Sequence, residues 1–368
     1  MNEQIQNEYF PDSVSAPGET LEEILLERGM SQAELAERTG RPKKTINEIV
    51  KGKAAITPET ALQLERVLGI SAGFWITREQ SYRESLARAK EAAEFDKQAD
   101  WLNQVPYRAM ARQGWIREHP ERARQLDEVL RFFGVASPVS WQGVWGSGSP
   151  AFRRSAAFES EPGAVVAWLR KGELEAAHQQ PIEYDPDAFK RALERVRSLT
   201  RELPNDFTSV VIRECNEAGV CVVFVPELPG ARVWGATRWL TPSRALIQLS
   251  LRYKTDDHLW FTFFHEAGHI LLHGRRNVFL EGEQHDQNEK ESEADAFAQE
   301  WLIPRAKYQV FRRLGAVSCA AVGRFAFELG IAPGIVVGRL QHDGQLDRTQ
   351  CNNLKKNVDW VFDRLLEP

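Results

Sequence analysis

WFTFFHEAGHILLH, residues 260–273, is the stretch around which the rest of this 368-residue chain is organised. If the stretch is helical, His265 and His269 lie one turn apart on one face, because residues four apart are neighbours on a helix. Two imidazoles so placed can bind one Zn²⁺, and Glu266 lies beside them where a general base is needed. The apolar flanks predict a helix buried on most sides, in which unligated histidines would be costly polar groups. HExxH also occurs by chance, so the motif needs support from elsewhere in the chain.

That support comes from a second segment, ESEADAFAQEWLIP at residues 291–304, whose apolar residues recur at helical spacing. A catalytic zinc site commonly uses two histidines and a glutamate and keeps one position open. Glu291 is the predicted third ligand. Asp295, four residues on, is predicted to bond the far nitrogen of a ligand histidine. Glu293 is the alternative ligand, but on a helix it points about 160° away from Asp295.

Residues 260–304 resemble the ImmA/IrrE family of zinc metallopeptidases. The family pairs FTxxHExxHxxLH with a later ExEAxxFA and a proline, and each piece is present here. The resemblance implies a zinc peptidase with His265, His269 and Glu291 as ligands and Glu266 as catalytic base. A degenerate or purely structural metal site is the alternative, since a fold does not guarantee its chemistry.

Length and composition are those of a globular protein with two or three domains. The net charge of −5 argues against a protein that coats nucleic acid. The polar N-terminus has no signal-peptide pattern, and no window approaches the ~20 apolar residues of a membrane span, so we expect a cytoplasmic protein without a membrane partner. The cysteines are far apart and form no CxxC pair, which predicts reduced packing residues at Cys215, Cys221, Cys319 and Cys351.

Residues 18–80 predict an all-α domain of five helices that contains a helix-turn-helix. Ser31 and Glu34 form a capping box, and a turn at Gly40 separates two amphipathic segments. The second helix of such a unit enters the major groove of DNA. Acidic side chains outnumber basic ones over residues 1–80, but the basic ones cluster on this second helix and its exit. A protein-interaction module with a solvated basic edge is the alternative.

Residues 17–80 are similar to the HigA-type antitoxin group of phage-repressor-like DNA-binding domains. The similarity rests on NEIVKGKAAITPETA at residues 47–61 and LGISAGFW at residues 68–75. It implies binding of double-stranded operator DNA as a homodimer, with control of the protein's own operon. By position, Thr45 and Asn47 would read bases while basic neighbours hold phosphates. The predicted DNA contacts are Arg41, Lys43, Lys44, Thr45, Asn47 and Lys51.

The rest of the chain completes a mainly α fold with a small β-sheet (α+β). Residues 1–17 form a lead-in, and residues 81–203 predict a helical middle region. Within that region, Ser137-Pro138 and residues 141–150 form the strongest linker signal, which predicts a flexible joint at residues 137–150. The tryptophans spread through this region are predicted to be buried anchors between helices, in preference to a ligand site.

Residues 204–315 predict a zincin-like metallopeptidase domain with strands at 220–225 and 245–250. We expect substrate to add to an edge strand at 245–250 or to the turn at 234–237. Residues 275–290 predict a mobile loop near the metal. Two roles are considered for His273: a third histidine ligand, or a residue that supports the ligands without binding the metal. The supporting role is favoured.

Residues 316–368 predict a helical cap that closes with a helix at 355–366. Two segments of this cap resemble a second helix-turn-helix, but the exposed face is not basic.

These observations predict a DNA-binding transcriptional regulator fused to a zinc endopeptidase that cleaves one regulatory protein, such as a repressor or a toxin. The alternative is a non-catalytic HigA-like antitoxin or repressor with a structural or sensing zinc site. Glu266 favours the enzyme, because a purely structural site does not require a general base.

Overall fold

The computed structural model describes residues 14–146, 161–201, 204, 206–250, 252, 254–274, 279–282, 289–313 and 317–358. Helices dominate these residues and one four-stranded sheet accompanies them, which confirms the α+β class. The chain divides into two compact units. The first contains the residues up to 99 together with 122–124, and the second contains the rest.

The first unit has an all-helical core. Its helices are α1 (Pro17–Glu27), α2 (Gln32–Thr39), α3 (Lys43–Val50), α4 (Pro58–Leu68) and α5 (Ala72–Gln98). The Ser31 hydroxyl accepts a hydrogen bond from the Glu34 amide at 3.1 Å and so caps α2, as the sequence predicts. Gly40 ends α2 with φ 67°, a left-handed conformation that glycine adopts without strain. Trp75 is fully buried among aliphatic side chains of the other helices.

Helix α5 continues well past the predicted end of the DNA-binding domain. It runs unbroken through residue 80, so the first compact unit is longer than residues 18–80. No glycine or proline occurs between Gly73 and Pro106, and nothing in the sequence ends the helix at residue 80. The boundaries at 203 and 315 stay predictions.

The middle region is helical in its described part. It contains a 3₁₀ turn (Ala99–Gln104), α6 (Tyr107–Arg112), α7 (Arg122–Phe133), α8 (Pro138–Trp145), α9 (Pro162–Ala177) and α10 (Pro186–Leu199). The linker predicted at 137–150 is wrong over residues 138–145, which form α8, and residues 147–150 lie outside the described residues. Trp141 supplies the reason: it is buried, with its ring edge-on to those of Trp101 and Phe133 at 5.2 and 5.7 Å. Trp141 and Trp168 are buried anchors, as predicted.

The sheet follows α11 (Phe207–Asn216) and contains β1 (Val220–Phe224), β2 (Val233–Thr241), β3 (Arg244–Leu249) and β4 (Phe279–Gly282). The strand order is β1-β3-β2-β4, with β1 parallel to β3 and the other pairs antiparallel. Strand β3 therefore lies inside the sheet, so the edge role expected for residues 245–250 is wrong. Residues 234–237 belong to β2 and are not a turn. On the β2 side, β4 is the last strand among the described residues, and it lies inside the predicted loop.

The metal-helix candidate is α12 (Asp256–Leu272), which packs between the sheet and the later helices. These helices are α13 (Glu289–Leu302), α14 (Arg305–Arg312), α15 (Cys319–Leu329) and α16 (Pro333–His342), followed by a 3₁₀ turn at Asn352–Leu354. Helix α16 approaches the first turn of α12 closely, because a Cβ added at Gly334 would lie 2.3 Å from the Asp256 carboxylate. This packing fits the predicted structural cap.

The C-terminal segment departs from the sequence prediction in two ways. Residues 355–358 are extended and not helical: Asn357 bridges to Thr255, and the Val358 amide donates to the Lys254 carbonyl at 2.8 Å. Residues 359–366 of the predicted helix lie outside the described residues. Cys319 and Cys351 form a disulfide, which corrects their prediction as reduced. Cys215 and Cys221 are free and buried.

Within the described residues, no single helix has both the length and the apolar composition of a membrane span. Helices α15 and α16 meet those criteria only as a pair, and that pair is bent by 117°.

Candidate metal centre and helix-turn-helix surface

Helix α12 carries both predicted histidine ligands in its buried face. His265 and His269 are 0% and 1% exposed, and their Nε2 atoms lie 3.0 Å apart. The one-turn spacing predicted from HExxH is therefore present, with the same ring nitrogen of each histidine directed to a shared point.

Helix α13 brings the third donor to that point. Glu291 Oε2 lies 3.1 Å from His265 Nε2 and 3.3 Å from His269 Nε2. Gly268 permits this close approach of the two helices, because a Cβ there would lie 3.1 Å from the Phe297 ring and 3.3 Å from the Ala294 backbone.

The three donors have the geometry of a tetrahedral metal site. Zn–N and Zn–O bonds of about 2.0–2.1 Å at tetrahedral angles separate donor atoms by about 3.3 Å. The observed separations of 3.0–3.3 Å match this value, and no other described group of His, Cys, Asp or Glu side chains converges in this way. The residues present thus fit a divalent cation, with His₂Glu chemistry typical of zinc.

The electrostatics keep the donors in metal-binding form. Burial acts to raise the pKa of Glu291, but hydrogen bonds from His265 and His269 outweigh it and hold that pKa at about 2. Burial lowers the pKa of His269 to about 4. At neutral pH the site therefore presents a carboxylate and a neutral imidazole, the forms that a metal requires.

A second layer of contacts orients both imidazoles. Asp295 Oδ1 lies 2.8 Å from His265 Nδ1, where the sequence predicts it. His273 Nδ1 lies 2.9 Å from His269 Nδ1, and its Nε2 lies 3.0 Å from Glu293 Oε2. His273 thus takes the supporting role that the sequence favours, and its partner is Glu293, which the sequence offered only as an alternative ligand. The only signal for this role is the four-residue spacing from His269 to His273.

The predicted base, Glu266, is fully buried beside the donors. The Thr237 hydroxyl on β2 donates to the Glu266 carbonyl at 3.0 Å. The carboxylate lies over Gly235, where an added Cβ would come within 2.5 Å of Glu266 Oε1. Strand β2 therefore sets the position of the base through a glycine that no motif predicted.

Strand β4 also reaches the site, although its residues were predicted as loop. The Phe279 ring stacks on His269, with centroids 3.9 Å apart and planes 13° apart. Lys290 Nζ lies 5.8 Å from the Phe279 ring centroid. Residues 275–278 and 283–288 of the predicted loop lie outside the described residues.

The helix-turn-helix surface is formed by α2 and α3. Lys43, Lys44 and Lys51 are exposed on α3 and its exit, as phosphate contacts would require. Thr45 is half-buried in the same helix. Lys44 Nζ lies 3.8 Å from Glu48, a separation that leaves the ammonium largely solvated.

Two predicted DNA contacts already have partners within the unit. Asn47 donates to Gln32 Oε1 at 3.2 Å and so links α3 to α2. Arg41 donates to Gln63 Oε1 at 2.7 Å and links the turn to α4. Gln32 and Gln63 are positioning residues that the sequence did not identify.

Two family models match the chain. The helix-turn-helix model HTH_3 matches residues 21–75, and Peptidase_M78, the IrrE N-terminal-like domain, matches residues 218–315. The second match contains every residue of the metal centre.

Curated relatives match parts of the chain. The uncharacterized HTH-type transcriptional regulator YddM of Escherichia coli (strain K12) is 33% identical over 78 residues, covering 21% of this chain and 81% of that protein. Virulence-associated protein A of Dichelobacter nodosus is 38% identical over 68 residues, covering 18% and 67%. The PEX5-related protein of Rattus norvegicus is 28% identical over 187 residues, and the chain spans only 31% of its length.

Solved structures of HigA proteins match a similarly small share of this chain. An addiction module antidote protein of a HigA family from Coxiella burnetii is 30% identical, covering 23% of this chain and 92% of that one, with a TM-score of 0.21. The antitoxin HigA of Pseudomonas aeruginosa with the higBA promoter is 31% identical, covering 22% and 90%, with a TM-score of 0.22.

Proposed function

We propose that this chain, which belongs to the helix-turn-helix family through residues 21–75 and carries an IrrE N-terminal-like domain at residues 218–315, is a transcriptional regulator with a zinc-dependent endopeptidase. The observation that carries the enzyme half is the convergence of His265, His269 and Glu291 within 3.3 Å of one another, with Glu266 buried beside them. The regulator half is supported by the exposed lysines of α3 and by the 33% identity to YddM.

His265, His269 and Glu291 would hold the zinc ion, which would supply Lewis-acid polarisation of a scissile carbonyl and activation of water. Glu266 would accept the proton of the attacking water and deliver it to the leaving amine. Asp295 and the His273–Glu293 pair would fix the two imidazoles during this step. The outer edge of β4, the last strand of the described sheet and beside His269, would be a platform for an extended substrate by strand addition.

The substrate would be one specific regulatory protein, a repressor or a toxin. The chain would bind an inverted-repeat operator as a homodimer and control its own operon. It would act where its operator is, in the cytoplasm. Structural disulfides are rare in reducing compartments, so the Cys319–Cys351 bond is an observation against that location.

A comparison of wild type with Glu266→Gln tests the enzyme. Both proteins should bind one zinc per chain, since Glu266 is not among the converging donors. New protein N-termini should appear in cells that express wild type and be absent from cells that express the variant. Identical sets of N-termini would remove the peptidase and leave the non-catalytic repressor with a structural or sensing zinc.

Lysine substitutions on α3 test the DNA half. Lys43→Ala and Lys44→Ala in the full chain should weaken binding to operator and unrelated DNA alike and reduce the salt slope by about one per lost phosphate contact. Asn47→Ala should instead relax preference at particular bases. Lys307→Ala, an exposed lysine of α14, is the matched control. Unchanged operator binding in the triple variant would favour the protein-interaction module.

A further inference from the structure

A cavity of about 870 Å³ opens beside the metal centre and takes no part in the proposed chemistry. It lies between the first turns of α12, the end of α13, α16 and the extended C-terminal segment. Apolar side chains contribute one part of its lining: Phe261, Leu302, Ile303 and Ile335. Its volume is within the range of sites that enclose small molecules, roughly 300–1,000 Å³.

The charged part of the lining is strongly one-sided. Of the described side chains that line it, five are lysine or arginine and one, Asp257, is a carboxylate. Lys355 Nζ neutralises that carboxylate at 2.6 Å. The basic side chains are Arg252, Lys254, Arg339, Arg348 and Lys355.

Two of these cations are available to a ligand. Arg339 is paired with Asp343 at 3.0 Å and Arg252 with Glu227 at 3.4 Å. Lys254 and Arg348 are exposed and form no ion pair within the described part of the chain. Among the described residues, the cavity thus combines an apolar wall with an excess of positive charge.

The cavity is separate from the metal donors. None of the side chains lining it is His265, His269, Glu291 or Glu266. It reaches their surroundings at one point, where Phe261 lies one helical turn before His265 with ring centroids 6.2 Å apart.

We propose that this cavity binds a small, multiply phosphorylated molecule with a planar or apolar group, a nucleoside polyphosphate in chemical class. Arginine and lysine form their strongest hydrogen bonds with phosphate oxygens, and several cations around one cavity suit several negative charges. The apolar group packs against Phe261 and Ile335. This site is independent of the peptidase activity, so its failure would leave the proposed function standing.

Calorimetric titration of the full chain with ATP, GTP, tripolyphosphate and adenosine tests the proposal, with a chelator present to exclude binding to a metal. At least one nucleotide should bind at one site per chain, tripolyphosphate more weakly and adenosine undetectably. Lys254→Glu with Arg348→Glu should weaken the nucleotide by about tenfold or more, since each lost charge-assisted hydrogen bond costs about that factor. Lys307→Glu should have no effect.

A milder pair, Lys254→Gln with Arg348→Gln, keeps the test valid if charge reversal prevents folding, and it should weaken binding in the same direction. The proposal is overturned if no nucleotide saturates the protein, or if binding survives both pairs. It is also overturned if a single-stranded oligonucleotide binds through Lys254 and Arg348 while nucleotides do not, because the cavity would then serve a nucleic acid strand.

Discussion

Two carboxylates on α13, Glu291 and Glu293, are two residues apart and face different partners. Glu291 is directed at both histidine donors, whereas the Glu293 side chain is 53% exposed and contacts the outer side of His273. Glu291→Gln should therefore lower zinc affinity far more than Glu293→Gln. Loss of an outer partner costs roughly 10–100-fold in metal affinity, and loss of a ligand should cost more.

Zinc affinity measured by chelator competition decides between the two carboxylates. His269→Ala gives the reference value for loss of a ligand. If Glu291→Gln bound zinc normally and Glu293→Gln did not, Glu293 would be the ligand from α13 and the assignment of Glu291 would be wrong.

Asp256, at the start of α12, gives the protein a pH dependence unrelated to the metal. Burial raises the pKa of this carboxyl from 3.8 to about 6, and the neighbouring Asp257 adds to the shift. Because the folded state holds the proton more tightly than the unfolded state, the free energy of unfolding falls as pH rises from about 4 to about 6. A pKa raised from 3.8 to about 6 limits this loss to about 3 kcal/mol.

Asp256→Asn should remove that decline. Asparagine keeps an oxygen for the amides of Asp257 and Lys356, which lie 3.0 Å from Oδ1. The variant should be more stable than wild type at pH 7.5, and the difference should close toward pH 4. Urea unfolding across this range measures it, and a difference that does not change with pH would contradict the assignment.

Among the elements, β2 has the most specific effect on the chemistry, because Gly235 leaves room for the Glu266 side chain. A Cβ there would lie 2.5 Å from Glu266 Oε1 and 2.7 Å from Thr262 Cγ2. Gly235→Ala should displace the carboxylate, keep zinc, and lower cleavage on the order of 10²-fold, the cost of about 1 Å of misplacement. Gly323→Ala on α15, where a Cβ meets open space, is the matched control. Full activity in Gly235→Ala would show that Glu266 does not need this position.

The elements also show how far sequence reasoning reaches. Helices α12 and α13 were predictable because their functional and apolar residues repeat with helical spacing, and that spacing alone set the positions of Asp295 and Glu291. The sequence does not predict strand β2, because GATR at residues 235–238 interrupts the apolar pattern of the strand. The strand is buried by α12, which is distant from it in sequence. Helix α8 was missed because Pro138 and Gly143 resemble linker residues, whereas long-range packing of Trp141 holds the segment helical. The Cys319–Cys351 pair joins residues whose proximity is set by the tertiary fold alone.

At the scale of the whole molecule, the chain joins a helix-turn-helix unit to a unit that carries a candidate metal centre. An unregulated peptidase attached to a repressor would be harmful, so we expect the two activities to be coupled. Residues 138–145 of the predicted flexible joint form α8, and residues 147–150 lie outside the described residues. We therefore test the coupling through binding free energies, which do not depend on where the joint lies.

Thermodynamic reciprocity makes this coupling measurable. If operator DNA weakens substrate binding by some factor, substrate must weaken operator binding by the same factor. Glu266→Gln is the suitable protein, because it should bind substrate without cleaving it. We expect its operator affinity to fall several-fold when a peptide that spans a cleavage site found in the N-terminus comparison is saturating. The same peptide added to Glu291→Gln, which lacks a metal ligand, should have a smaller effect. An operator affinity that stays constant in both proteins would mean that the two units act independently and that the regulator and the peptidase merely share a chain.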